Sequence, residues 1–211
     1  MILAKPLPLL AMILTFCLTP LARCVDRADI DIPKDETPKQ AIKRGCKVFD
    51  TLDLDAAMKL FAWDDDKQRD FVKSYAEYAI ALTRVELTIE KKFSRKDADE
   101  MVHAAGEHTE TDLEEAEFTL DGDKATATFK GTDNPIILRR IDGTWKLVAA
   151  DLLKDVGAEE VKSAMSDYNK FTKALVEIAK DVEVGKYTAP EATEVVKQLV
   201  NPPAPNPKAG L

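Results

Sequence analysis

The sequence predicts an α+β fold in which N-terminal helices pack on an antiparallel sheet and a helical extension follows the sheet. Three observations predict this order. Apolar residues recur every three or four positions over residues 71–93, as on the buried stripe of a long helix. Alternating segments joined by Asp-Gly pairs follow over residues 116–150, which is typical of β-hairpins. A second helical stripe then spans residues 161–182.

The strongest local signal is the pair Asp142-Gly143, which stands between strand-like segments at residues 136–141 and 144–150. Both residues of such a two-residue hairpin turn must adopt positive φ, and Asp and Gly tolerate this conformation. A second Asp-Gly pair, at residues 121–122, predicts an earlier hairpin in the same way. The sequence therefore indicates two consecutive hairpins.

Capping residues predict where the helices begin and end. Thr37 opens the first helix with a capping-box pattern, a short second helix is expected over residues 55–62, and a long third helix over residues 67–93. Ser94 then opens a shorter helix that ends at Gly106, because glycine favours the left-handed conformation found at helix ends. A polar linker is expected between this helix and the first strand.

The extension after the sheet is expected to contain two helices. The first covers residues 158–182 and ends before Gly185, and Thr188 with Glu191 opens the second as a capping box. The apolar stripe of the first helix is too extensive to remain exposed to water, and an isolated helix of this length would be only marginally stable. We therefore expect the extension to dock on the preceding domain or on a second subunit.

The N-terminus predicts a secretory signal peptide over residues 1–24. A short basic start precedes an apolar run over residues 7–18, and this run is shorter than the ~20 residues that a membrane-spanning helix needs. Ala22 and Cys24 place small residues at the cleavage site, so we expect an exported protein, periplasmic or extracellular. Two alternatives stay open: an uncleaved anchor, and a lipoprotein acylated on Cys24, although Arg23 stands where a lipobox needs a small residue.

Composition argues against several classes of function. The chain has 38 acidic and 30 basic residues and a formal net charge of −8 at pH 7, which makes it a poor candidate for binding nucleic acid. It contains no Gly-rich phosphate loop, no Gly-x-Ser-x-Gly elbow and no cysteine cluster for a metal. Cys46 shares a helical face with Ile42 and Phe49 and is expected to be a small buried hydrophobe. We therefore expect no cofactor and no metal site.

Four residues are candidates for lining a ligand pocket: Tyr75, Tyr78, His103 and Trp145. The two tyrosines lie on the apolar stripe of the third helix and could point a hydroxyl into a cavity, although core packing is the commoner role. Trp145 is expected to anchor the sheet on a helix, with a ligand platform as the alternative. His103 could be a general base near neutral pH, or a partly exposed helix histidine. None is assigned a catalytic role.

Three segments resemble the nuclear-transport-factor-2-like (SnoaL-like) superfamily. They are TPKQAIKRGCKVFDTLDLDAAMKLF, FTLDGDKATATFKG and ILRRIDGTWKLVAAD, and the resemblance covers about residues 37–152. It implies a curved antiparallel sheet wrapped over helices to form a cone with an internal pocket. The superfamily contains isomerases, dehydratases, lactone-forming cyclases and many non-catalytic binding modules, so the fold alone does not assign an activity. Its enzymes place an Asp, sometimes with a His or Tyr, inside the cone, but no local motif here matches those positions.

Two features depart from that superfamily, namely the length and charge of the third helix and the helical extension after the sheet. The expected organisation is a signal peptide (1–24), a polar leader (25–36), a cone-like α+β domain (37–155), the helical extension (156–200) and a Pro-rich tail (201–211). The tail lacks a core pattern and is expected to be extended or disordered.

These expectations leave two classes of function open. The first is an exported, non-catalytic binding or interaction module, which takes a small apolar ligand in the cone or a protein partner. The second is a small cofactor-free isomerase or dehydratase that uses an Asp or His inside the cone. In both cases we expect no nucleic-acid partner and no stable membrane span after signal removal, and a homodimer stays open. A filled cone would favour the first class, and an open cavity lined by a buried Asp or His beside a Tyr the second.

Overall fold

The computed structural model describes residues 35–106, 110–130 and 135–201 of the chain. The chain begins with α1 (Pro38–Asp50), α2 (Leu54–Met58), β1 (Phe61–Ala62), α3 (Asp66–Lys92), α4 (Arg95–Ala104) and α5 (Glu110–Glu115). Four strands follow: β2 (Glu117–Asp121), β3 (Lys124–Thr128), β4 (Ile136–Ile141) and β5 (Thr144–Val148). The chain then forms α6 (Ala149–Leu152), α7 (Ala158–Glu183) and α8 (Ala189–Val200). The predicted signal peptide, most of the leader and the tail after Asn201 lie outside the described residues.

The helices α1 and α4 begin at the predicted caps, Thr37 and Ser94. The Thr37 side chain accepts a hydrogen bond from the Gln40 backbone in a capping box, and the Ser94 side chain accepts one from the Asp97 backbone. Two segments differ from expectation here: α5 occupies much of the predicted linker before β2, and α6 begins at Ala149, where the last strand was expected to continue to residue 150. In the part of the chain that the structure describes, no helix is both long enough and apolar enough to cross a membrane.

The strands form one five-stranded mixed sheet in the order β1-β5-β4-β3-β2, so the α+β class is confirmed. The expectation of a wholly antiparallel sheet is corrected by β1, which pairs parallel to β5 with Phe61 opposite Leu147. A continuous helix over residues 55–62 had been expected, but α2 ends at Met58. The Phe61 side chain is buried, and the Leu147 N–H donates to the Leu60 carbonyl at 3.0 Å. Tertiary packing therefore overrides the local helical preference here.

The two hairpin turns differ in how closely they match the positions predicted from the sequence. Asp142 and Gly143 both adopt positive φ, 50° and 79°, as predicted for this turn. In the earlier hairpin the pairing extends through Asp121, so the turn consists of Gly122 and Asp123, one residue later than expected. Gly122 alone of these two has positive φ, at 59°, which suits a turn with glycine in its first central position.

The first helix of the extension is part of the main core. Phe71 near the start of α3 packs edge-on against Tyr168 of α7, with ring centroids 6.1 Å apart. At the other end, the Lys92 Nζ lies 2.6 Å from the Val182 carbonyl oxygen. The two long helices therefore run side by side in the same direction, and strands β2 to β5 lie between them in sequence. The first helix of the extension therefore docks on the preceding domain of its own chain, which is one of the two docking partners expected from the sequence.

The last helix completes this layer by packing against both α4 and α7. Its small apolar face is buried, and the Asn201 side-chain amide donates to the Ala104 carbonyl at 3.4 Å. On α4 the buried side chains include Met101 and Val102. The helix α4 thereby lies between α3 and α8 and is held from both sides.

Candidate functional site

The structure brings together two of the four predicted pocket residues. Tyr75 and Tyr78 are buried on α3, and both rings pack against Tyr168 of α7, at centroid distances of 5.9 Å and 5.3 Å. Tyr75 also packs edge-on against Phe61 of β1 at 5.9 Å. Edge-to-face and tilted rings at these separations are the usual geometry of an aromatic core. The two tyrosines therefore lie within side-chain packing between α3, α7 and β1.

Trp145 lies apart from the tyrosines, where the sheet meets the start of α1. Its side chain is 5% exposed, and its Nε1–H donates to the Glu36 carbonyl at 2.9 Å. The Glu36 carboxylate accepts two hydrogen bonds from Arg44, at 2.7 Å and 3.0 Å, and Arg44 also donates to the Trp145 carbonyl at 3.4 Å. The indole thus anchors β5 to the segment that enters α1, which is the anchoring role expected for it.

His103 lies on the surface of α4, away from the other three candidates. Its side chain is 56% exposed, and its Nε2 is 3.3 Å from an Asp112 carboxylate oxygen on α5. This contact joins two neighbouring helices at the surface.

An open groove of about 470 Å³ lies along the C-terminal half of α3, and we call it the α3 groove. It is lined by Leu52, Arg84, Leu87, Thr88, Lys91, Lys92 and Glu183. Residues 84, 87, 88 and 91 are spaced by three and four positions and therefore share one helical face. None of the four sequence-predicted pocket residues belongs to this lining.

The apolar wall opposite α3 comes from Leu52, in the turn after α1. Leu52 adopts φ of 55°, the left-handed region that glycine favours at helix ends. Its N–H donates to the Phe49 carbonyl at 2.9 Å, which closes the last turn of α1. The side chain is half-buried, with one side against the core and another lining the groove. The left-handed conformation of Leu52 costs about 1 kcal/mol in backbone strain. In this conformation its large apolar side chain forms part of the groove wall.

The groove is positively charged in an acidic protein. Its lining has three cationic side chains and one carboxylate, while the whole chain carries −8. Lys92 is already engaged, because its Nζ donates to the Val182 and Glu183 carbonyls at 2.6 Å and 2.7 Å. By contrast, Arg84 and Lys91 make no side-chain ion pair or hydrogen bond with the other described residues. Two cations are therefore available at the groove.

A buried carboxyl group, Glu86, lies on another face of α3. Both of its oxygens are buried and lack a hydrogen-bond partner among the described residues, and the Arg95 Nη2 lies 3.7 Å away. Burial raises the pKa of Glu86 well above its usual value, Arg95 opposes this, and Asp50, Asp99 and Glu90 add to the rise. Burial therefore favours the neutral acid at this position.

A buried acid of this kind is a candidate proton donor or acceptor wherever a substrate can reach it. Glu86 is not among the residues that line the α3 groove. Within the described ranges, no group of three or more His, Cys, Asp or Glu side chains is arranged to hold a metal ion. The described residues therefore supply one buried carboxyl group with Arg95 near it, and a groove with an apolar centre whose lining does not include that carboxyl.

Neither Glu86 nor the α3 groove was predicted from the sequence, although signals for both exist. Glu86 lies four residues after Leu82 and three before Ile89, so helical spacing places it on the buried stripe. The groove has a weaker signal, a leucine at position 87 between two cations on the polar face of α3. Leu52 gives no signal at all, because only the tertiary structure brings it to that helix.

Comparison of the chain with protein families, with curated proteins and with solved structures finds no match in any of the three. The resemblance to the nuclear-transport-factor-2-like superfamily therefore stays an expectation.

Proposed function

We propose that the protein is an exported, non-catalytic binding module and that it binds its ligand in the α3 groove. The observation that carries the proposal is the lining of this groove. Leu52 and Leu87 form an apolar centre, and the cations Arg84 and Lys91 beside it have no partner among the described residues. Concave sites with an apolar lining and a few polar groups are the usual form of small-molecule sites, and about 470 Å³ is within their range.

The packing of the interior supports a site on the surface of α3 over one inside a cone. Tyr75 and Tyr78, the candidates for lining an internal cavity, pack against Tyr168, which is the commoner role considered for them. Tyr168 belongs to the extension, which the superfamily resemblance did not include. The extension therefore occupies volume beside the tyrosines that a ligand inside the cone would otherwise take.

The alternative, a cofactor-free isomerase or dehydratase, rests on one observation, the buried carboxyl group of Glu86. That class of enzyme needs an acid or base within hydrogen-bond reach of the substrate. His103 is largely exposed at the α4–α5 surface, and Glu86 lies outside the groove lining. The binding module is the better supported of the two. The superfamily that the sequence resembles also contains many non-catalytic binding modules.

Export is the second part of the proposal and rests on residues 1–24, a short basic start followed by an apolar run. N-terminal sequencing of protein recovered from outside the cytoplasm tests it, and the first residue is expected near Val25. A recovered chain that still begins at Met1 would contradict cleavage, and an acylated Cys24 would favour the lipoprotein.

Binding at the groove is tested with Nile red, a neutral apolar dye whose emission rises in an apolar site. Leu87→Gln removes half of the apolar centre, and Thr88→Trp fills the groove, so both are expected to weaken dye binding by about tenfold. Leu120→Gln, at an exposed leucine on β2, is the matched control and should bind the dye as tightly as the wild type does. Circular dichroism verifies that each variant is folded. Equal dye binding by the wild type, Leu87→Gln and Thr88→Trp would overturn the assignment of the site.

A further inference from the structure

We infer that the α3 groove takes a linear amphiphile, an aliphatic chain that ends in a carboxylate, with the carboxylate at Arg84. This inference rests on the proposed function, because it names the ligand class for the same groove. Three features of the described residues lead to it: the order of side chains along α3, the charges at the two ends of the groove, and the engagement of Lys92.

The order of side chains suits an elongated ligand. Arg84 and Lys91 are seven residues apart on one face of α3, which corresponds to about 10 Å along a helix. Leu87 lies between them, and Leu52 faces the same space from the turn after α1. An aliphatic chain can therefore lie along the helix against two leucines and end at a cation.

The two ends of the groove differ in their electrostatics. The Lys91 end lies at the C-terminus of α3 and beside Glu183 at the C-terminus of α7. Both helix C-termini carry partial negative charge, and the Lys92 ammonium is held by carbonyls of α7. Arg84 lies two turns from the end of α3, where this effect has faded. An anionic head group is therefore favoured at Arg84.

Arginine also matches the chemistry of a carboxylate. Its planar guanidinium can donate two parallel hydrogen bonds to the two oxygens of one carboxylate. A guanidinium with no partner among the described residues, in a chain with a net charge of −8, offers such a group a site that most of the protein surface does not. An uncharged lipid of the same length would gain the apolar contacts alone.

The test compares decanoate with decan-1-ol, both below the concentration at which they aggregate, by isothermal titration calorimetry on the exported chain. The wild type should bind decanoate more tightly than decan-1-ol. Arg84→Gln should weaken decanoate binding by about tenfold and leave decan-1-ol binding unchanged. Lys67→Gln is the matched control, because Lys67 is an exposed cation on the same helix outside the groove, and it should bind both probes as the wild type does.

The outcomes separate this inference from the proposed function. If Arg84→Gln leaves decanoate binding unchanged while Leu87→Gln weakens binding of both probes, the groove is an apolar site and the carboxylate assignment is overturned. If Leu87→Gln changes neither affinity, the groove does not bind the probes and the proposed function fails with it. Equal weakening by Arg84→Gln and Lys67→Gln would show a general effect of charge and would also overturn the assignment. Failure of the wild type to bind decanoate rejects the inference directly.

Discussion

Lys92, at the last residue of α3, closes the C-terminal end of α7 by donating a hydrogen bond to the Val182 carbonyl at 2.6 Å. The same ammonium donates to the next carbonyl, that of Glu183, at 2.7 Å. Helix C-termini leave their last carbonyls without intrahelical partners, and a cation there satisfies them and interacts favourably with the helix dipole. A residue that precedes strands β2 to β5 in sequence thus completes a helix that follows them.

Replacement of this lysine should therefore destabilise the protein. Lys92→Met keeps much of the aliphatic stem and removes the charge and the two hydrogen bonds, so we expect a loss of about 1–2 kcal/mol in the free energy of unfolding. Lys91→Met is the matched control, because the neighbouring side chain makes no such contact, and its effect should stay within about 0.5 kcal/mol. Urea denaturation measures both. Equal stability of the two variants would show that the cap contributes nothing.

Removal of the extension should expose the buried face of α3. A shortened chain that ends at Asp155 loses Tyr168 and the other α7 side chains that pack against Tyr75 and Tyr78. It is expected to melt at a lower temperature, to bind an apolar dye more strongly and to lose solubility. Calorimetry and dye fluorescence are the measurements, and a chain ending at Asn201 is the control. A shortened chain as stable and as soluble as this control would contradict the packing of α7 in the core.

The two tryptophans should report different environments. Trp145 is 5% exposed and Trp63 is 37% exposed. The Trp63→Phe variant, in which Trp145 is the one emitting tryptophan, should therefore emit at a shorter wavelength and resist iodide quenching better than Trp145→Phe. Trp145→Ala should cost about 3–5 kcal/mol of stability, as large core truncations do. A water-like emission spectrum from Trp63→Phe would contradict the anchoring of β5 at Glu36.

Stability should depend on pH through Glu86. Burial raises its pKa above the usual 4.5, so in the window above 4.5 the folded state holds a proton that the unfolded state has released. The free energy of unfolding therefore falls as pH rises through this window, by up to about 1.4 kcal/mol per pH unit. Glu86→Gln removes the titrating group, and its stability relative to the wild type should increase with pH.

Urea denaturation over a pH series that starts below 4.5 measures this difference. Glu100→Gln, at an exposed carboxylate on α4, is the control for the loss of a carboxylate at the surface, and the change with pH should be larger for Glu86→Gln than for this variant. A constant difference between Glu86→Gln and the wild type across the series would mean that Glu86 does not hold its proton in the folded protein.

Local features of the fold could be predicted from the sequence. The Asp142-Gly143 turn, the Thr37 cap and the extents of the two long helices depend on contacts between residues a few positions apart. Such contacts are formed by backbone φ preferences and by side chains that reach their own backbone, and both are properties of a short segment. The buried side chains of α3 followed from helical spacing for the same reason.

The candidate site could not be predicted in this way. The α3 groove exists because Leu52 comes to lie opposite Leu87 and beside Glu183, residues from three separate parts of the chain. From the sequence, Tyr75 and Tyr78 were candidates for a pocket, with core packing as the commoner role, because they are apolar-stripe residues whether they line a cavity or fill it. The choice between these outcomes depends on what packs against them.

What the sequence by itself determined is much of the local structure: the α+β class, the two long helices, the caps at Thr37 and Ser94, the Asp142-Gly143 turn and the apolar faces. The tertiary structure decided how these faces are paired, namely β1 parallel to β5, α7 alongside α3, and Glu86 enclosed with Arg95 nearby. The physical reason is that these two kinds of interaction act over different separations along the chain. Capping and turn formation act within a few residues, whereas burial of apolar area is non-directional, so any complementary face can satisfy it and the partner is chosen by the fold as a whole.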